Sequence, residues 1–263
     1  MLIVDAHVHF HACFDRDTFL NTAVERFARV AAGSDALGYL MLTESRGANA
    51  FAAWRDDGRR HGDWWFEPTE EPATLLACQS GGMRLAVVAG RQIATRGGLE
   101  VLALGTLAQV PDGLVFEEAV EAALADAPLV VLPWGFGKWW GDRGAIVKHV
   151  VDRYRGRLYL GDNGGRPSLM PEPRLFAHAA ELGVGVLPGS DPLPFPNHAR
   201  SVGRAGFLLD AVPDLARPLD AMLGALRAQP RAFGDRERLA AFVRDQVRMQ
   251  VVKAQRQRKT ATE

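Results

Sequence analysis

Histidines at alternate positions, just after the apolar run Leu-Ile-Val at 2–4, are the first residues with chemistry to offer: His7, His9 and His11 follow Asp5. On an extended segment, residues two apart project to one side, so His7 and His9 converge on one point, with His11 a further candidate. Two neutral imidazoles with a distant carboxylate form a donor set suited to zinc, manganese or iron. A lone histidine is more often a satisfied loop group, whereas His-x-His delivered by an N-terminal strand points to a metal. The carboxylate comes from Asp191, in Leu187-Pro-Gly-Ser-Asp-Pro192, where it can bind the ion and take a proton from water. Ser-Asp-Pro is also ordinary turn chemistry, the plainer role for Ser190 and Asp191.

Such residues need elements to hold them. A strand over 2–6 delivers the histidines, and apolar residues at helical spacing predict a helix over 17–32 with Asp17 as its N-cap. A second strand over 39–42 ends at Glu44. The charged stretch 55–72, with Trp64 and Trp65, reads as a long surface excursion. Runs at 74–78, 85–95 and 99–104 read as strands, and Gly97-Gly98 signals a hairpin between the last two. Helices over 117–125, 145–154 and 173–182 then alternate with strands over 129–132, 157–160 and 184–187. The remainder, 215–252, reads as helical with breaks near Pro230 and Gly234. This alternation predicts a mainly parallel sheet, open or closed into a barrel. In that architecture chemistry gathers on loops at strand C-termini. Those positions hold the three histidines, Glu44, Trp134 with Lys138, and Asp162, Asn163 and Arg166, besides Asp191. The glycine-rich loops Trp134-Gly-Phe-Gly-Lys138 and Gly161-Asp-Asn-Gly-Gly165 with Arg166 offer backbone N–H groups and cations to a phosphate or carboxylate, although Gly-Gly more often marks a tight turn.

The 263 residues are 48% hydrophobic, enough for one large core, and show no linker or repeat. Lys plus Arg and Asp plus Glu total 31 each, so no net field draws the chain to nucleic acid or a membrane surface, and anion specificity must be local. The basic end, 252–263, reads as a frayed helix end. Only Cys13 and Cys78 occur, too few for a disulfide framework or thiolate zinc site, which predicts a reducing, cytoplasmic setting. Neither a signal segment nor a membrane span is expected. Oligomeric state is left open.

Val4-Asp-Ala-His-Val-His9, Leu42-Thr-Glu-Ser45, Gly90-Arg-Gln-Ile93 with Gly98 to Gly105, Leu132-Pro133, Asp162-Asn-Gly164 and Gly189-Ser-Asp191 occur in an order that resembles the polymerase-and-histidinol-phosphatase (PHP) family of metal-dependent hydrolases, over roughly residues 2–205. The resemblance implies a single distorted (β/α) barrel over 1–263, with a core over about 2–210 and a helical extension over about 215–256. It also implies a metal set drawn from His7, His9, Asp191, Glu44 and Gln92, with Asp191 and His9 catalytic. Ser45, Gln92, Leu132 and Leu193 stand where the family has ligands, so the resemblance implies fewer ions than the family's trinuclear set, or none. Glu44, Glu100, His11 and His198 are candidate replacements. The expected reaction is phosphoester hydrolysis of a small anionic substrate by metal-activated water, with Lys138, Asn163, Arg166 and Trp134 binding it. The alternatives are C–N hydrolysis of amidohydrolase type and a degenerate barrel that binds a ligand or protein.

Overall fold

The computed structural model describes residues 1–57, 62–226 and 230–260, the side chains of 253–260 excepted. In chain order the elements are β1 (Leu2–Val8), α1 (Arg16–Ala31), β2 (Leu37–Leu42), α2 (Ala50–Asp57), β3 (Trp64–Pro68), β4 (Thr74–Gln79), β5 (Leu85–Val88), β6 (Gly90–Ala94), β7 (Glu100–Leu104), α3 (Phe116–Asp126), β8 (Leu129–Pro133), α4 (Asp142–Arg153), β9 (Tyr159–Asn163), α5 (Arg174–Glu181) and β10 (Val186–Gly189). A 3-10 segment, Pro196–Ser201, then leads to β11 (Ala205–Leu209), α6 (Pro218–Ala225), β12 (Arg231–Gly234) and α7 (Leu239–Thr260).

The strands form two mixed sheets in an α/β fold. One has the order β12-β11-β1-β2-β5-β4-β3, the other β10-β9-β8-β7-β6. Alternation along the strands explains the layering. Leu2, Val4 and Ala6 of β1 share a core with Tyr39 and Met41 of β2 and with Leu102, Leu104, Val131 and Leu187 of the second sheet. Ile3 and Val8 instead pack with Phe19, Leu20, Ala23 and Phe27 of α1, and the far face of the second sheet buries Val120, Val147, Val151 and Phe176 of α3, α4 and α5.

This corrects the expected barrel, because neither seam between the sheets carries a ladder. Antiparallel β11 occupies the edge of β1 (Leu2↔Leu209), where β10 would have to pair to close the ring. Parallel β5 occupies the edge of β2, so β6 forms no ladder with β2, and the Glu44↔Arg91 bridge lies just beyond it. Parallel strand–helix–strand units are confined to β1-α1-β2 and β8-α4-β9-α5-β10, and hairpins build much of the remainder.

Several local readings change as well. Asp15 caps α1 in place of Asp17, its side chain accepting from the Thr18 N–H at 2.8 Å. The tryptophan-rich stretch contains β3, paired with β4, and Trp64 is fully buried with its Nε1–H donating to Asn21 Oδ1 at 3.0 Å. The run at 85–95 splits into β5 and β6, which belong to different sheets. The Gly97-Gly98 hairpin forms as expected between β6 and β7. Within the C-terminal segment, Arg231–Gly234 is a strand of the first sheet instead of a helix break. Among the described residues no helix is long and apolar enough to cross a membrane, and Cys13 and Cys78 are free thiols. Residues 261–263 of the basic end lie outside the described residues.

Candidate metal centre and its cleft

β1 carries one extra residue against β2: Asp5 pairs with Leu40 and Val8 with Leu42, so the ladder slips between them. Such a bulge re-aims side chains locally. His7 lies within it, and His9 follows on extended chain with its ring on the same side. Their Nε2 atoms are 3.2 Å apart.

Asp5 fixes the other half of the site. Its buried carboxylate accepts from the N–H groups of Ser190 at 2.7 Å, Gly203 at 2.8 Å and His7 at 3.3 Å, tying β1 to the segment after β10. Burial pushes this carboxyl up to about 6 against those three bonds. The Asp191 N–H donates to the His7 carbonyl at 2.8 Å, and Asp191 takes a left-handed φ of 46°. Ser190, Asp191 and Pro192 form no turn, so the plainer role read from Ser-Asp-Pro is not the one Asp191 takes.

The result is a convergence across the seam between the sheets. Asp191 Oδ1 lies 3.5 Å from His7 Nε2 and 3.6 Å from His9 Nε2, while Gln92 Oε1, from β6, lies 3.2 Å from His7 Nε2. Asn163, at the end of β9, donates Nδ2–H to Asp191 Oδ2 at 3.0 Å and to the Trp134 carbonyl at 3.1 Å, while its buried Oδ1 accepts no hydrogen bond. Burial and the neighbouring His7 lower His9 to about 3, which keeps its imidazole neutral. Burial alone would raise the Asp191 carboxyl, but His7, His9 and Lys138 outweigh it and hold it below the usual range.

These donors fit a metal ion. A proton on His7 Nε2 can satisfy one neighbour only, leaving the other acceptors lone pair against lone pair. Four ligands placed tetrahedrally at about 2.0–2.1 Å from zinc have edges of about 3.3–3.4 Å. The observed 3.2 to 3.6 Å separations bracket that value. His7, His9 and Asp191 are the group of histidine, cysteine and acidic side chains, among the described residues, whose donor atoms converge closely enough to hold one ion.

Other expected residues go elsewhere. Glu44 Oε1 accepts from the Phe51 N–H at 3.0 Å at the start of α2, and burial raises its carboxyl. It caps a helix and stays out of the histidine–aspartate group. His11 stacks on His9 with ring centroids 5.4 Å apart and donates Nε2–H to the Pro192 carbonyl at 2.9 Å. Leu132 is a core residue, while Ser45 and Leu193 line the cleft. His198 accepts from the Leu193 N–H at Nδ1 (3.3 Å), so its Nε2–H donates to Asp245 of α7 at 3.1 Å.

The cleft in front of the centre has a volume of about 930 Å³ and is lined by His9, Gln92, Asp191, Lys138 and Glu100, by Phe10 and Trp54, and by the loop before α2. Of the four residues expected to bind substrate, Lys138 alone lines it, ion-paired with Glu100. Trp134 and Asn163 instead border a chamber of about 70 Å³ behind Asp191. Arg166 is fully buried and borders neither. Asp162 takes its Nε and Nη2 in a two-pronged pair at 2.8 and 2.6 Å, and Phe176 lies 5.8 Å beneath the guanidinium. Sequence reasoning missed Asp5 as a site residue, although it opens the same His-x-His motif. It also missed the real task of Asn163, which is to orient Asp191.

Neither a protein-family model nor a curated protein matches the chain. Among solved structures, the crystal structure of PsfC from Pseudomonas syringae PB-5123 is similar, with a TM-score of 0.55 and 17% identity over 95% of this chain and 98% of that one. The likeness is one of fold.

Proposed function

We propose that the chain is a hydrolase working with a single divalent metal ion, with small phosphoesters as its substrates. The observation that carries this reading is the convergence of His7, His9, Asp191 and Gln92 at the wall of a large cleft. These four residues would hold the ion, and one neutral amide among them leaves too few carboxylates for a second. When bound, such an ion supplies Lewis acidity toward a phosphoryl oxygen and a water of lowered pKa. Asp191, oriented by Asn163, is placed to accept a proton, and His9 presents a neutral imidazole beside it. Lys138 meets the anionic group of the substrate once that group displaces Glu100. The preference for phosphoesters over amides rests on the PHP resemblance. Two free cysteines suit a cytoplasmic setting.

The experiment is metal analysis of the purified chain followed by paired phosphoesterase and amidase assays on the apo, zinc, manganese and iron forms. Stoichiometric metal and metal-dependent phosphoester cleavage, both lost in His7→Ala, are expected. No bound metal, with His7→Ala indistinguishable from the parent, would sink this reading. It would favour a ligand-binding chain without catalysis, toward which the core position of Leu132 and the capping role of Glu44 also point.

A further inference from the structure

The charged wall of the cleft continues into an apolar flank. Phe10 follows His9 directly, and α2 brings Ala50, Ala53 and Trp54 to the same space. Phe10 is half-buried and held edge-on by three rings: Trp54 at 4.8 Å and 68°, Phe19 at 5.2 Å and 79°, and Phe14 at 6.0 Å and 85°. A ring clamped in this way offers contact area with little further ordering to undergo. The cleft's 930 Å³ falls within the range of about 300–1,000 Å³ that accommodates whole small-molecule ligands, so a phosphoryl group fills only part of it.

We propose that this flank receives a planar apolar ring on the substrate, so that phosphoesters of aryl or other ring-bearing alcohols are favoured over those of small alkyl alcohols. The inference rests on the phosphoester reading. The charged groups of the cleft divide accordingly: Lys138 and Glu100 stand with Gln92 and Asp191 at the reacting side, and Arg46 is exposed on the loop before α2. A sugar placed against Phe10, Ala50, Ala53 and Trp54 would leave its hydroxyls facing carbon, whereas a ring gains by leaving water. Binding energy from this remote part of the substrate is then available to hold the phosphoryl group at the metal-facing wall.

The test uses phenylphosphonate and methylphosphonate, which share the charged group and lack the scissile ester oxygen, in calorimetric titrations of the full chain loaded with zinc or manganese. The phenyl compound is expected to bind about tenfold more tightly or better, as burial of one ring allows. Phe10→Leu, which keeps apolar bulk but removes the ring, and Ala53→Gln, a helix-compatible change at an exposed position, are each expected to narrow that ratio while the far-ultraviolet circular dichroism stays that of the parent. Equal affinities for the two compounds, or binding of neither, overturns the inference. Since no bond is cleaved, the result is independent of the hydrolase assay. A chain that prefers the phenyl compound but hydrolyses no ester keeps the ring site and loses the hydrolase reading.

Discussion

Gly189 stands where only a hydrogen fits. A Cβ there would lie 2.3 Å from the His7 backbone nitrogen and 2.5 Å from the His7 Cβ, and a backbone atom cannot swing away as a flexible side chain can. Gly189→Ala is therefore expected to push β10 off β1, cost on the order of 1–3 kcal/mol in denaturant unfolding, and weaken metal binding by separating Asp191 from the histidines. Gly185→Ala is the control, since its added Cβ meets only the Tyr159 ring at 3.1 to 3.2 Å; equal losses in both variants would refute the argument. The two thiols make a second contrast. Cys13 is exposed on the cleft wall, whereas Cys78 is buried and its thiol pushed up to about 11 by that burial. A thiol reagent should titrate one group per native chain and the second only after denaturation, with Cys13→Ser abolishing the native reaction. At this scale the sequence was informative where spacing alone decides direction, as for His7 and His9, or where a polar residue closely follows a strand, as for Asp191. It was uninformative where a side chain chooses between partners. Glu44 prefers the Phe51 N–H, and Arg166 is claimed by Asp162, choices that depend on how loops fold back.

Elements with a strong period of their own, such as α1, β4 and the β6–β7 hairpin, were legible because local apolar spacing and a Gly-Gly turn determine them. β11 and β12 were not, because short segments become strands only when a neighbour's free edge receives them: β11 pairs with β1 and β12 with β11, and β11 takes the edge of β1 that a closed ring would need. The helical reading of the C-terminal part holds for α7, which is fastened to the 3-10 segment: Asp245 reaches His198, and Arg248 lies 4.0 Å over the Phe195 ring. That attachment has a pH signature. Burial lowers His198 despite Asp245 beside it, with Arg204 also lowering it and Glu237 opposing. Below about pH 6.5 the unfolded chain thus binds a proton that the folded chain refuses, so stability falls as pH drops from there toward the lowered folded value. Burial would raise Asp245, but Arg244 and His198 hold it low, so its contribution is present above the ordinary carboxylate range and is lost only in stronger acid. His9, also lowered, adds a loss of the same sign. His198→Ala should lower stability at pH 8 and flatten its decline below about pH 6.5, measured by urea midpoints across pH. An unchanged slope would mean that His198 is not held neutral.

Across the whole molecule, equal numbers of basic and acidic residues leave cohesion to the core between the sheets and to whatever joins their seams. The candidate centre spans both seams at once. His7 and His9 come from the first sheet, Gln92 from β6 of the second, and Asp191 from the segment after β10. A cation there would fasten the two sheets where no ladder does. Binding only the folded state, at one hundred times its dissociation constant, adds about 2.7 kcal/mol, which for a chain of this size corresponds to roughly 5–10 °C in Tm. The expected result is a rise of that order when zinc or manganese is added to the chelated protein, reversed by chelator. It should be abolished in His7→Ala and reduced in Gln92→Ala, because Gln92 ties the second sheet to the ion through one neutral oxygen. Hydrogen exchange should sharpen the point: protection should increase in β6 and β10, across the seams, more than in β4, which pairs on both edges within its own sheet. A metal-induced rise that leaves β6 and β10 unprotected would place the ion elsewhere. A rise that survives His7→Ala would do the same.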